Sequence, residues 1–330
     1  MLQCGQFAEV EGTARVCCRL GEAVLKLNRW WFTRGSLLPF SHLFVTIAGR
    51  ICCVFLISWI VAVSYFSVQP LQLVVDYGGY ILLGLTGAIF ANATGAGGGV
   101  VFIPVFSQLQ FSPQTAVATS FAIQCFGMTA GALTWWQYYR KEKQPVAQWQ
   151  SFTRLLYLSV PFAVVGILAM QFSGLAMPND LHFGFGVFSI VLASALFATI
   201  PILNKQHERD QLARIDCIVL PIIGLLGGAL TAWLSVGVGE LLAVYLLFRG
   251  FDATFSVACA VVLTGISVWF AVVYHAVVMP SIYWPIVAFA GLGAVAGGMI
   301  AKRIVLLFAP LYVKLFFASW VMLSGWLSVI

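Results

Sequence analysis

The sequence is poor in charge. Only 8% of its 330 residues are Asp, Glu, Lys or Arg, against roughly a quarter in a soluble domain, which excludes a water-facing fold. It lacks the ten-residue segments of alternating hydrophobicity that build an outer-membrane barrel. Its eight cysteines show no CxxC spacing and no metal-type pairing with the four histidines, so they read as buried or reduced thiols. No Gly-Lys-Ser/Thr ending and no Gly-x-Gly-x-x-Gly spacing is present, so nucleotide binding is unsupported. Nothing points to a cofactor, a metal or a nucleic-acid partner. The first 42 residues contain no early apolar core and carry Glu9 and Glu11, which is not the pattern of a secretory signal.

What is abundant is apolar sequence: 61% of residues, with a mean hydropathy of +0.98. The apolar runs are near the 20 residues that an α-helix needs to cross about 30 Å of hydrocarbon. The class is an all-α integral membrane protein, in contact with membrane lipid, of about nine helical membrane elements. Spans are expected at Leu43–Phe66, Val74–Ala93, Ala116–Tyr138, Leu155–Phe172, Phe183–Leu203, Ile215–Leu234, Thr254–His275, Tyr283–Ala301 and Pro310–Leu327. Two further apolar helices, Gly99–Gln110 and Glu240–Phe248, are too short to span. Trp135, Trp136, Tyr283 and Trp284 fall at span ends and read as interface anchors.

All 17 Lys and Arg residues lie in 15–34, at Arg50, in 140–154, in 205–214, at Arg249, at 302–303 and at Lys314. With these in the cytoplasm, the parity of the spans works only if each short helix returns with its predecessor to the starting side. The hairpin 74–110 then opens outside and the hairpin 215–249 opens inside, each followed by three spans. This is an inverted repeat. The expected organisation is a cytoplasmic segment 1–42 with a basic amphipathic helix, an extra transmembrane helix 43–70, a first repeat 71–203, a cytoplasmic linker 204–214 and a second, inverted repeat 215–330. The N-terminus is cytoplasmic and the C-terminus outside. The segments before the repeats read either as homodimer contacts or as simple anchors.

Sequence supports the repeat. At a constant offset of 140, Gly84, Gly87, Gly97 and Gly99 fall on Gly224, Gly227, Gly237 and Gly239, and Phe111 falls on Phe251. Paired discontinuous helices in inverted repeats are a transporter architecture, with the site near the midplane where the breaks meet. A helix that starts inside the membrane presents unpaired N–H groups and the positive end of its dipole, and glycine lets an anion approach that backbone. The candidate substrate-binding residues are therefore Gly95, Gly97, Gly98 and Gly99 at the first break, with Ser235, Gly237 and Gly239 at the second. Gly84, Gly87, Gly224 and Gly227 read as helix-packing positions.

Asn92 and Thr94 end the first long helix, while Thr119, Ser120 and Gln124 sit on the span after the first break; Thr264 is the mate of Gln124. Each of these side chains has two readings, capping its own helix or lining the site. Glu240 is the one acidic residue expected at membrane depth. It reads either as a carrier of a coupling proton or as a first-turn complement to the helix dipole.

At these residues the sequence resembles a known family. Gly84-Leu-Thr-Gly87 through Gly95-Ala-Gly-Gly-Gly99, then Phe102-Ile-Pro104 and Ala116-Val-Ala-Thr-Ser120, is similar to the TauE/SafE sulfite exporters, over roughly Gly79 to Leu327. The second half departs from the pattern: Val244 stands where the proline falls and Cys259-Ala260 where Thr-Ser falls. The resemblance implies proton-coupled secondary transport, often export, of sulfite, sulfonates or related small sulfur anions across a bacterial inner membrane. It points to Gly97, Gly98, Gly99, Thr119 and Ser120 in particular. An anion channel or a permease for another small anion is the alternative. An intramembrane enzyme would need a paired nucleophile and base that Glu240 lacks in the sequence.

Overall fold

The computed structural model describes residues 70–175, 181–198, 211–308 and 310–329, with single residues 59, 200 and 209. The expected N-terminal amphipathic segment, the first span and the linker at 204–214 lie wholly or largely outside them. Every α-helix follows one of the apolar runs: α1 (Pro70–Tyr77), α2 (Tyr80–Thr94), α3 (Gly99–Gln108), α4 (Pro113–Tyr138), α5 (Phe152–Phe172), α6 (Leu181–Ala198), α7 (Asp216–Leu234), α8 (Val238–Phe248), α9 (Ala253–Val273), α10 (Trp284–Leu307) and α11 (Pro310–Val329). No strand occurs among the described residues. Five helices are long and apolar enough to cross a membrane, or six if α1 and α2 count as one bent span. The chain is a multi-pass helical membrane protein.

Local sequence sets the ends of these helices. Ser112 starts α4 by accepting the Thr115 N–H at 3.2 Å, with Pro113 in the first turn, where its missing N–H costs nothing. Asp252 starts α9 in the same way, accepting the Phe255 N–H at 2.9 Å. The span expected over Val74–Ala93 is instead two helices that meet at 50°, because Gly78 and Gly79 interrupt it.

The helices pack in pairs: α2 against α10, α7 against α5, α4 against α9, and α6 against α11. Small residues carry the first two contacts, as expected where close backbone approach replaces a hydrophobic drive. A Cβ on Gly84 would overlap the Ala290 carbonyl, and one on Gly293 the Ile81 carbonyl. On the other side, a Cβ on Gly224 would stand 2.6 Å from the Ser159 carbonyl, and one on Gly166 would overlap that of Leu225. The middle of the bundle belongs to α4 and α9, whose span windows are 72% and 78% buried, against 39% for α5 and for α7. Trp284 is exposed, as an interface anchor requires, but Trp135 is wholly buried and packs edge-on against Tyr138. Helical backbone continues past Tyr138 to Lys143, so residue 135 lies deeper than a span ending at 138 implied.

Gly84→Val forces a branched side chain into the Ala290 backbone. Overpacking of this kind costs about 1–3 kcal/mol or more, whereas Gly79, which would meet nothing within 4 Å, accepts Ala within about 0.5 kcal/mol. Thermal unfolding of the two variants in detergent checks the pair: the first is expected to melt lower than the parent and the second to match it.

Candidate functional site

Two helix breaks abut in the bundle. The first chain segment leaves α2 through Gly95, whose left-handed conformation (φ 80°) closes the helix with a bond from its N–H to the Ala91 carbonyl at 3.0 Å. The second leaves α7 through Ser235, also left-handed (φ 58°), with its N–H on the Thr231 carbonyl at 2.8 Å. Left-handed backbone is natural for glycine and uncommon for serine, and the Ser235 side chain is held by further bonds described below. The half-helix α3 starts at Gly99, as the sequence suggests. Its counterpart α8 starts at Val238, two residues earlier than expected, after Gly237 in a conformation (φ 149°) that other residues rarely adopt. This makes Glu240 the third residue of α8.

The two half-helices touch through backbone. A Cβ on Gly99 would lie 2.6 Å from the Ser235 carbonyl, and one on Gly239 would overlap the Gly95 carbonyl. No larger residue fits at either contact.

Glu240 joins the two breaks. Its Oε2 accepts the Gly237 N–H of its own helix at 2.8 Å, and its Oε1 accepts the Gly97 N–H of the other break at 2.6 Å. The side chain is buried, and no Lys or Arg is buried among the described residues. The charge of this carboxylate is therefore met by backbone N–H groups at the positive ends of two short helices. As the third residue of α8, Glu240 complements the dipole of its own helix, one of its two expected roles, and it also reaches the other break.

Gln124 and the two serines complete the junction. Gln124 Oε1 accepts the Gly98 N–H at 2.9 Å, and its Nε2 donates to Ser235 Oγ at 2.8 Å and Ser120 Oγ at 3.1 Å. Ser235 Oγ donates in turn to Ser120 Oγ at 2.9 Å. On the other side the Val238 N–H donates to Thr231 Oγ1 at 2.8 Å. The void beside Gly98 and Gln124 measures about 10 Å³, room for about one water at most.

Thr94 Oγ1 donates to the Phe90 carbonyl of its own helix at 2.7 Å and accepts the Ala96 N–H of the first break at 3.3 Å. Thr119 Oγ1 accepts the Tyr283 N–H at 3.0 Å, bracing the start of α10 rather than the break. Asn92 donates to the Ala88 and Gly127 carbonyls at 2.8 and 3.2 Å, while its Oδ1 has no partner among the described residues. Thr264 Oγ1 is also buried without a partner, and it faces Gly239.

The sequence reading passed over Asp216. This buried carboxylate at the start of α7 accepts Arg249 Nε at 2.7 Å, Tyr245 OH at 2.6 Å and the Ala213 N–H at 2.6 Å, tying both ends of the second hairpin together at its mouth. The signal was present: once 215–249 is read as a hairpin, an acid at its first turn and an arginine at its last must meet. Among the described residues the first hairpin has no ion pair there; its Tyr77 hydroxyl instead bonds that of Tyr283, at the start of α10, at 2.5 Å.

Among the described residues no three His, Cys, Asp or Glu side chains gather as a metal site. The fold and junction define a multi-pass membrane protein with two discontinuous helices whose N-termini meet in the bundle, an arrangement found in membrane carriers. The sulfite exporter TauE/SafE family matches residues 80–327, and the chain belongs to that family. Membership implies a membrane transporter of sulfite or a related anion. No curated protein and no solved structure matches the chain.

Gln124→Leu removes the acceptor of the buried Gly98 N–H and the donor to both serines. An unsatisfied buried group of this kind costs about 1–3 kcal/mol, so the variant is expected to unfold at a lower temperature or denaturant concentration than the parent. Ser120→Ala, which leaves Gln124 its bond to Ser235, is expected to lose less.

Proposed function

We propose that this chain is a secondary-active carrier that moves sulfite, a sulfonate or a related small sulfur oxyanion across a bacterial inner membrane, in the export direction. It works by alternating access between two inverted halves, with protons as the coupling ion. The observation that carries the reading is the meeting of the two half-helix N-termini on one buried carboxylate: Gly97 and Gly237, at equivalent places in the two halves, both donate to Glu240. A position that holds one anion by backbone donors alone is chemically suited to another.

The inverted repeat draws support from paired details. Gly95 and Ser235 turn the chain with the same hand. Ser112 and Asp252 cap the helices that follow, and the packing of α2 on α10 is matched by that of α7 on α5. The bonds that Glu240 and Gln124 make across the two breaks favour a carrier that occludes its site over a channel with a standing pore. In this reading the Arg249–Asp216 mouth faces the cytoplasm and the Tyr77–Tyr283 mouth faces outward. Glu240 carries the coupling proton, since protonation would remove the charge that holds the two donors.

Reconstituted into liposomes, the full chain is expected to move sulfite in a saturable manner and faster under an imposed pH gradient. Unsaturable flux that ignores the gradient would favour the channel. Gly98→Phe, which would drive a ring into Phe102 and Gln124, is expected to abolish flux while the protein still reaches the membrane. Glu240→Gln is expected to carry sulfite without response to pH; an unchanged response would remove Glu240 from coupling.

A further inference from the structure

We infer that the Glu240 carboxylate is a tethered competitor of the transported anion: it occupies the anion's place in the resting protein and has to leave the Gly97 and Gly237 N–H groups before an oxyanion can bind there. This deepens the function proposed above and rests on it for the identity of the anion.

Three observations carry the inference. First, a helix cap explains only half of what Glu240 does. Its bond to the Gly237 N–H closes its own helix, but its shorter bond, 2.6 Å, goes to Gly97, 143 residues away in the other half. A residue needed only as a cap has no reason to bridge the two halves. Second, the donors are already taken. The Gly97 and Gly237 N–H groups each bond to an oxygen of Glu240, so the carboxylate and a substrate oxyanion exclude one another on them. Third, a further donor stands unused beside the first turn of α8. Thr264 Oγ1 is 99% buried, has no partner among the described residues, and faces Gly239 in the first turn of α8. An oxyanion with a third oxygen can take that hydroxyl, whereas the carboxylate has already committed both of its oxygens.

The shape of the tether then selects the ligand class. The two N–H groups are bridged by two oxygens on one central atom, which sulfite, a sulfonate or a free carboxylate reproduces and a halide does not. Backbone donors are fixed in direction, so they discriminate by oxygen spacing rather than by charge alone. Exchange of one anion for another also keeps the net charge at the junction constant, which avoids leaving two helix N-termini facing each other unneutralised.

The test is chemical rescue. Glu240→Ala removes the tether and leaves its donors open. In the detergent-purified full chain, formate or acetate is expected to raise the Tm of this variant by about 3 °C or more at saturating concentration, while the parent, whose site is filled, shifts by less than about 1 °C. Formamide and chloride are expected to do nothing. If Glu240→Ala proves folded yet gains nothing from any carboxylate, the inference is overturned. If Glu240→Ala does not fold, the isosteric Glu240→Gln decides: sulfite is expected to bind it at least about threefold more tightly than it binds the parent, and equal or weaker binding overturns the inference. Rescue by formate in a protein whose parent form neither binds nor moves sulfite would uphold the tether and overturn the sulfur assignment. Sulfite transport by the parent without rescue of the variant would do the reverse.

Discussion

Hydrocarbon offers no hydrogen bonds, so a chain that breaks its helix inside a membrane has to satisfy the freed backbone groups from within the protein. This protein breaks twice, and the two sets of freed N–H groups are brought to one place. Glu240 accepts from Gly97 and Gly237, Gln124 from Gly98, and Thr231 from Val238. Much of the surrounding structure serves that meeting. Gly99 and Gly239 let each half-helix rest on the other break's carbonyl, and the left-handed turns at Gly95 and Ser235 aim the donors inward. The buried α4 and α9 supply Gln124, Ser120 and Thr264 from the side.

If the proposed anion site is at this junction, it works without a buried cation among the described residues. A lysine or arginine at this depth would be costly to bury and would hold a small anion tightly. Backbone dipoles act at short range and are fixed by the helix axes, so the attraction weakens once the two halves move apart. That property suits a carrier, which has to release what it binds. The two mouths are built differently, an ion pair with a tyrosine at one and a tyrosine pair at the other. Opening one side therefore breaks different bonds from opening the other, and the two directions of transport need not face equal barriers.

Much of this was legible in the sequence. The low charge and the 20-residue apolar runs gave the membrane class, and the glycine coincidence at an offset of 140 located both breaks, because backbone contact there leaves no room for a side chain. Residues whose role depends on a partner far along the chain were harder to read. Glu240 was visible as an intramembrane acid, but its reach to Gly97 depends on how the halves dock. Thr119 also braces a helix start 164 residues away, a role that its place in the family pattern Thr-Ser did not reveal. Asp216 drew no reading from the sequence, because its partner Arg249 reaches it only once α8 has returned.

The central claim is that this junction binds a sulfur oxyanion, and thermal stabilisation of the detergent-purified full chain by a panel of anions tests it most directly. A ligand that binds only the folded state at 100 times its dissociation constant adds about 2.7 kcal/mol. The account predicts a higher melting temperature with sulfite, thiosulfate or a sulfonate, and no change with chloride or phosphate. Stabilisation by chloride or phosphate, with none by any sulfur anion, would contradict it.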